Sequence, residues 1–429
     1  MPNLGPQEGS NQVKVLLLTR AAAAQIQGGP GLTVQLLLKK HRRISPKAFT
    51  LSAVFCDQVA LYYESVAPSI AISIARTGWL LSMQNAIKRR LPGSFRAATA
   101  FIFSILRFVF HFERATRGKQ PAHALYHAHD FVAAYIGSRR HRHRFSLVLT
   151  VHDKGGWVRE ALLQNPIYRG TFIEKVMRHI EASAVQRANV VVFTSHGSLA
   201  LFEGEHPGLL LSKDVRVVYT GIDTEELDSV PENNEVLPKY DVGQSTADVL
   251  CVGTLVKDKG VDTLIEAISL LPEDQRSRPS CLVVGRGHLK EELSSLIENK
   301  GLQDRVRLLG FLSRQEFLQL MRSATIFVLP SRVSVFDYIL LEAGALGLPI
   351  ITTAVGGNLE MFDQDSALLV PPDDPQALAS AIARLLSDEA LRQRLGQNAY
   401  HRIRSRFSLE AMFNAYAAIY QEIASRPEP

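Results

Sequence analysis

The chain has 429 residues, 46% of them hydrophobic, which suggests roughly two to three domains with sizeable cores. Its formal net charge is +6, spread along the chain rather than gathered in one tail, a weak signal for anionic partners such as nucleotide sugars, acidic lipids or nucleic acid, of which nucleic acid is not expected. Three cysteines, Cys56, Cys251 and Cys281, lack metal-ligand spacing and read as reduced core residues of a cytoplasmic protein. The first ten residues carry no apolar signal segment. No run reaches the about 18 uncharged apolar residues of a spanning helix.

Val13 to Thr19 is an apolar, β-branched run and reads as a buried strand. Gln27-Gly28-Gly29-Pro30-Gly31 follows, then an apolar helix from Leu32 to Lys40. The Gly28-Gly29 pair either lets the backbone approach a ligand closely or makes a plain turn, and Pro30 suits a first helical turn. Ala48 to Phe55 is the next strand. Residues 57–120 are mostly helical and the least regular. Within them Phe95 to Phe112 is rich in Phe, Ile, Leu and Val, with Lys88, Arg89 and Arg90 before it and Arg114, Arg117 and Lys119 after it. This segment reads either as an amphipathic helix that sets residues 88–117 on an anionic membrane surface, or as a core helix leading into the next strand.

Two strands, Ala124 to His129 and Leu147 to Val151, end in His127-Ala128-His129-Asp130 and Thr150-Val151-His152-Asp153. Five histidines, His127, His129, His141, His143 and His152, lie close in sequence, but nothing makes them converge and no metal is expected. His152 ends a strand where crevices form in parallel sheets, which marks it as an active-site polar group; otherwise it is a satisfied loop histidine. Ile173, Val176, Ile180 and Ala184 fall at helical spacing before a strand at Asn189 to Phe193, with Ser195 as a cap for the next helix. The strand Val215 to Val218 closes the first half. Residues 228–246 are polar, with Pro231, Pro238 and Gly243, and form the entry to a second domain.

The second half opens with a strand at Val249 to Val252 and the loop Gly253-Thr254-Leu255-Val256-Lys257-Asp258-Lys259-Gly260. Strands follow at Cys281 to Val284, which enters Gly285-Arg286-Gly287, and at Val306 to Leu309, which exits through Phe311 and Leu312. Leu329 to Glu360 organises this half. A buried strand, Ala324 to Leu329, runs into Pro330-Ser331-Arg332; a helix spans about Asp337 to Ala345; Gly347 and Pro349 stop it before a strand at Pro349 to Thr353. Ala367 to Val370 runs into Pro371-Pro372-Asp373-Asp374. Helices follow at Ala377 to Leu386, at Glu389 to Arg404, and from Phe407 to about Ala424, with Ser408 as a cap. Repeated strand–loop–helix–strand units predict parallel α/β sheets with ligands at the carboxyl ends of the strands. The start of the helix near Asp337 suits a phosphate.

The blocks Gly253 to Gly260, Gly285-Arg286-Gly287, Pro330-Ser331-Arg332 to Glu342, and Pro371 to Asp374 resemble, in order, those of the retaining glycosyltransferases of family four (glycosyl transferases group one). The resemblance is tight over 248–405 and visible at several points over 13–223. It implies an α/β fold of two doubly wound Rossmann-like domains facing across a cleft, the GT-B fold. The implied division is an acceptor-side domain at 11–225, a nucleotide-sugar-binding domain at 226–405, and a terminal helix at 406–426 that crosses back. It implies transfer of a sugar from a nucleotide-diphosphate sugar to an acceptor hydroxyl of an unknown sugar or lipid-linked acceptor, in polysaccharide or glycolipid biosynthesis. No cofactor or metal is implied, and the location is cytoplasmic or peripheral on the inner membrane face. By resemblance, His152 serves the reaction centre, Gly28, Gly29 and Lys259 face the diphosphate, and Leu312 lies at the nucleobase. Ser334, Val335, Phe336, Asp337 and Tyr338 line the donor, and Glu342 holds the ribose hydroxyls.

Three positions depart from the family pattern. Ser334 stands where the family has its first glutamate, Asp337 where it has a glycine, and Thr254 where it has an arginine, with Lys257 as a nearby substitute cation. The departures at Ser334 and Thr254 support a second reading, a catalytically impaired GT-B protein that binds a nucleotide or a partner. Asp337 is expected either to point into the site or to cap its helix.

Overall fold

A computed structural model describes residues 13–18, 29–44, 49–54, 61–62, 124–140, 145–164, 166–230, 247–271 and 281–426. The Gly28 side of the glycine turn, Cys56, His141, His143 and the whole segment 88–117 lie outside these residues. The chain divides into two compact units. One holds residues up to Thr194, Leu199–Val218 and Phe413 onward; the other holds Ser195–Ser198 and Tyr219–Met412.

The first unit is built on β1 (Val13–Leu18), β2 (Phe49–Val54), β3 (Leu61–Tyr62), β4 (Ala124–Ala128), β5 (Phe145–Val151), β6 (Val190–Phe193) and β7 (Asp214–Val217). Their order is β3-β2-β1-β4-β5-β6-β7, and each described pairing is parallel except β2 with β3. The central strands are apolar on both faces because helices cover both sides of a parallel sheet. Val190 to Phe193 are all buried. The helix Gly29–Ile44 starts earlier than the apolar run suggests, so Gly29 opens the helix rather than lying in a free loop. Pro30 stands in its first turn, where a missing N–H is tolerated.

The second unit is built on β8 (Ala247–Val252), β9 (Cys281–Val284), β10 (Val306–Gly310), β11 (Ala324–Leu329), β12 (Ile350–Thr353) and β13 (Leu368–Val370), ordered β10-β9-β8-β11-β12-β13 and parallel throughout. Side chains alternate between the two faces of a strand. Leu250, Leu282, Phe327, Leu329 and Ile350 therefore join one core, with Leu340 and Leu341 of the helix Tyr338–Ala345. Cys251, Cys281, Ile326, Val328 and Ile351 join the other, with the helices Val261–Ser269 and Pro375–Ser387. Both cysteines are buried free thiols, held protonated by burial.

Helix ends follow their capping residues. Ser195 Oγ accepts from Ser198 N at 2.9 Å, Ser408 Oγ from Ala411 N at 3.1 Å, and Asp374 Oδ1 from Ala377 N at 2.8 Å. Ser313 and Glu316 form a capping box at the start of the helix Arg314–Ser323, which fixes Arg314 at its first position. Among the described residues no helix is long and apolar enough to cross a membrane.

Candidate functional site

In the second unit, loops leave the carboxyl ends of β8, β9, β11 and β12 and lock together. Gly253 N donates to Val284 O at 3.0 Å and Leu255 N to Arg286 O at 2.9 Å, which joins the first two loops. Gly260 has φ +66 and lies so close to Pro330 that a Cβ would sit 2.1 Å from its carbonyl oxygen; only glycine fits there. Gly356, at φ +46, meets Ser334 O in the same way at 1.9 Å.

Arg332, from the Pro-Ser-Arg block after β11, ties its own loop to the segment 257–263 after β8 and to Asp373 after β13. Its guanidinium donates to both carboxylate oxygens of Asp262, at 2.8 and 2.9 Å, to Thr263 Oγ1 at 3.0 Å, to Lys257 O and to Asp373 Oδ1. This planar, forked geometry is one that lysine cannot reproduce.

Lys259 sits in the turn Lys257–Lys259 and pairs its ammonium with the Asp337 carboxylate, which also accepts from Ser331 Oγ at 3.2 Å. Asp337 occupies the N-cap position of the helix Tyr338–Ala345, yet its side chain makes no capping hydrogen bond. Leu340 N donates to the Asp337 carbonyl at 2.9 Å, while the Asp337 carboxylate takes no N–H of the helix start and serves as a counter-ion instead. Thr254 is exposed in the same loop. Lys257, the nearby cation, has its ammonium engaged with Asp262 at 2.6 Å.

Glu342 lies mid-helix, 3% exposed, with Oε1 2.5 Å from Arg314 Nη1 in an ion pair off hydrogen-bond alignment. Arg314 also donates to Glu226 at 3.0 Å. Burial pushes the Glu342 carboxyl up to about 7, against the pull of Arg314. Burial and the nearby Glu342 likewise raise the Tyr338 hydroxyl. Ser334 is 1% exposed and its Oγ has no hydrogen-bond partner among the described residues. Val335 O accepts from Ser195 Oγ at 2.7 Å, and Phe336 stacks on Tyr219 with centroids 5.5 Å apart. Leu312 is buried in the core beside this loop cluster.

In the first unit, His152 follows β5 and is partly exposed. Its Nε2 lies 3.1 Å from His129 Nδ1. Behind them, His127 bonds Tyr420 Oη at 2.6 Å and Thr150 Oγ1 at 2.7 Å, and Thr150 in turn meets Tyr416 Oη at 3.2 Å. Burial holds His127 and His152 down to about 3 and His129 well below its ordinary value. Among the described residues no group of three His, Cys, Asp or Glu is arranged to hold a metal.

The structure thus pairs Lys259 with Asp337 in the loop cluster that holds Ser334 to Phe336, places Tyr338 and Glu342 on the helix that follows, and carries His152 on the other unit. It adds Arg314, Arg332 and His129, which the sequence left without roles. The capping box Ser313-x-x-Glu316 was the one local signal for the placement of Arg314.

Comparison with known proteins gives two family matches: Glycosyl transferases group 1 over residues 234–402 and Glycosyltransferase Family 4 over residues 73–226. Alpha-D-kanosaminyltransferase of Streptomyces kanamyceticus is 34% identical over 41% of this chain and 45% of its own length. The chain spans about half the length of the first curated relatives it matches. Among solved structures, sucrose-phosphate synthase from Thermosynechococcus elongatus is similar with a TM-score of 0.70 at 21% identity, over 96% of this chain and 98% of that one. Anabaena HepE in complex with UDP-glucose is similar with a TM-score of 0.64 at 18% identity, over 95% and 99%.

Proposed function

Starting from a chain related to the group 1 and family 4 glycosyltransferases, with two Rossmann-like domains of the GT-B fold, we propose that it transfers a sugar from a nucleotide-diphosphate sugar to an acceptor hydroxyl. The observation that carries the reading is the cluster of Lys259, the uncapped start of the helix Tyr338–Ala345, and the buried carboxylate of Glu342 at one sheet edge. An ammonium and free helix N–H groups suit a diphosphate. A carboxylate suits a ribose diol because it accepts two hydrogen bonds.

The transfer proceeds with retention. The bond from the anomeric carbon to the β-phosphate oxygen breaks, and the acceptor oxygen bonds on the same face. The acceptor proton passes to the leaving phosphate oxygen, so neither a protein nucleophile nor a metal is needed. Charge developing on the diphosphate is met by Lys259 and the helix start, while His152 serves the transferred sugar. Gly28 and Gly29 add backbone donors to the diphosphate, and Leu312 lies by the base. The acceptor is a sugar or lipid-linked hydroxyl of polysaccharide or glycolipid synthesis. The protein works in the cytoplasm, against the membrane through residues 88–117.

A second reading, a nucleotide- or partner-binding module without turnover, draws on Ser334, Thr254 and the neutralised Lys259. A panel of nucleotide sugars with sugar and lipid acceptors separates the two. The enzyme reading expects nucleotide release from at least one donor, and at least tenfold weaker nucleotide binding in Glu342→Ala, about 1.4 kcal/mol. Binding without release from any donor and acceptor supports the module, and an unchanged dissociation constant in Glu342→Ala removes its ribose role.

A further inference from the structure

The proton arrangement around His152 is constrained from behind. His129 Nδ1 and His152 Nε2 are 3.1 Å apart, so one ring donates to the other. His129 is 1% exposed, and its Nε2 has no hydrogen-bond partner among the described residues. The ring of His127 packs against it at 4.0 Å between centroids, but both nitrogens of His127 are already engaged, with Tyr420 and Thr150. Burial keeps all three rings neutral.

Two arrangements satisfy the contact. In one, His129 Nδ1–H donates, its Nε2 is a bare lone pair, and His152 carries its proton on Nδ1. In the other, His152 Nε2–H donates, and His129 is left with a buried N–H that has no acceptor among the described residues. Orphaned buried N–H groups are rarer than under-satisfied acceptors, so the first arrangement wins. The hydrogen bond at one ring nitrogen sets which nitrogen of the other histidine holds the proton.

We propose that His129 is a positioning residue that locks His152 in the Nδ1–H tautomer, so that His152 meets its ligand as a hydrogen-bond donor and not as a base. This rests on the reading of His152 as the group that serves the transferred sugar. It has a chemical consequence for that reading. A donor stabilises a sugar oxygen but removes no proton, which leaves the acceptor proton to the leaving phosphate.

The test uses the full chain labelled with isotopes in histidine only, His152 being assigned by its disappearance in His152→Asn. Ring carbon and nitrogen shifts in the absence of donor report the tautomer. The wild type should show Nδ1–H. His129→Asn, whose amide nitrogen can replace Nδ1, should keep it. His129→Leu, which fills the space without a donor, should shift His152 toward Nε2–H and, by analogy with the outer partners that orient metal-bound histidines, lower kcat roughly tenfold or more. An Nε2–H wild type overturns the lock, as does a folded Leu variant with tautomer and kcat unchanged. Because the tautomer is read without turnover, a wild type that transfers no sugar overturns the transferase reading and leaves the lock standing.

Discussion

On the proposed transferase reading the Lys259 ammonium is the partner for the diphosphate, yet Asp337 already holds it. Both side chains are largely shielded, 16% and 14% exposed, so the attraction is poorly screened. A donor must displace this carboxylate and then tolerate its charge nearby. Replacing Asp337 with Asn removes the competitor while keeping the shape. We expect nucleoside diphosphate to bind about tenfold tighter, about 1.4 kcal/mol, by calorimetry. The free protein should melt lower, because a partly buried ammonium loses its counter-ion, and nucleotide should restore the loss. Equal dissociation constants in both forms would show that Asp337 moves aside without penalty.

At the scale of elements, Arg332 decides whether the loops after β8 and β11 act as one body. Its forked contacts to Asp262 and its bonds to Thr263, Lys257 O and Asp373 cross three segments distant in sequence. Arg332→Lys keeps the charge and loses the fork. It should cost about 2 kcal/mol in urea unfolding and weaken nucleotide binding; a loss under about 0.5 kcal/mol would reduce the arginine to a surface contact. The elements themselves were readable. Apolar runs such as Cys281 to Val284 are strands because both faces of a parallel sheet are covered, and Ser195 and Ser408 announced their helices. The pairings were not readable. Lys259 meets Asp337 across 78 positions, and His127 meets Tyr420 across 293. A side-chain pair between distant segments leaves no periodic trace, so Lys259 was assigned to the diphosphate without Asp337 and Glu342 to the ribose without Arg314.

Across the whole molecule, the two units should respond to acid with opposite sign. In the first, His127 and His152 are depressed to about 3 and His129 also lies well below its ordinary value. The unfolded chain then binds more protons, and stability falls as pH drops below the ordinary histidine value, by about 2 kcal/mol at pH 5 for each of His127 and His152, with His129 acting in the same direction. Glu181, raised to about 7 by burial, offsets part of this. In the second unit, Glu342 is raised to about 7, so the native state binds the extra proton and stability increases as pH falls from 7 toward the ordinary carboxyl value. Hydrogen exchange at pH 7.5 and 5.5, corrected for intrinsic rates, should show protection lost in the first unit and held or gained in the second; the same change in both would refute the assignment. The helix Leu409–Ser425 adds a constraint of timing. Phe413, Tyr416, Tyr420 and Ile423 belong to the first unit and are buried, and Tyr416 and Tyr420 complete the bonds of Thr150 and His127. A ribosome makes these residues only after all of the second unit, although domains generally fold in order of synthesis. The unit begun first is thus finished last, and throughout translation of the second its two buried hydrogen-bonding groups wait for partners not yet made.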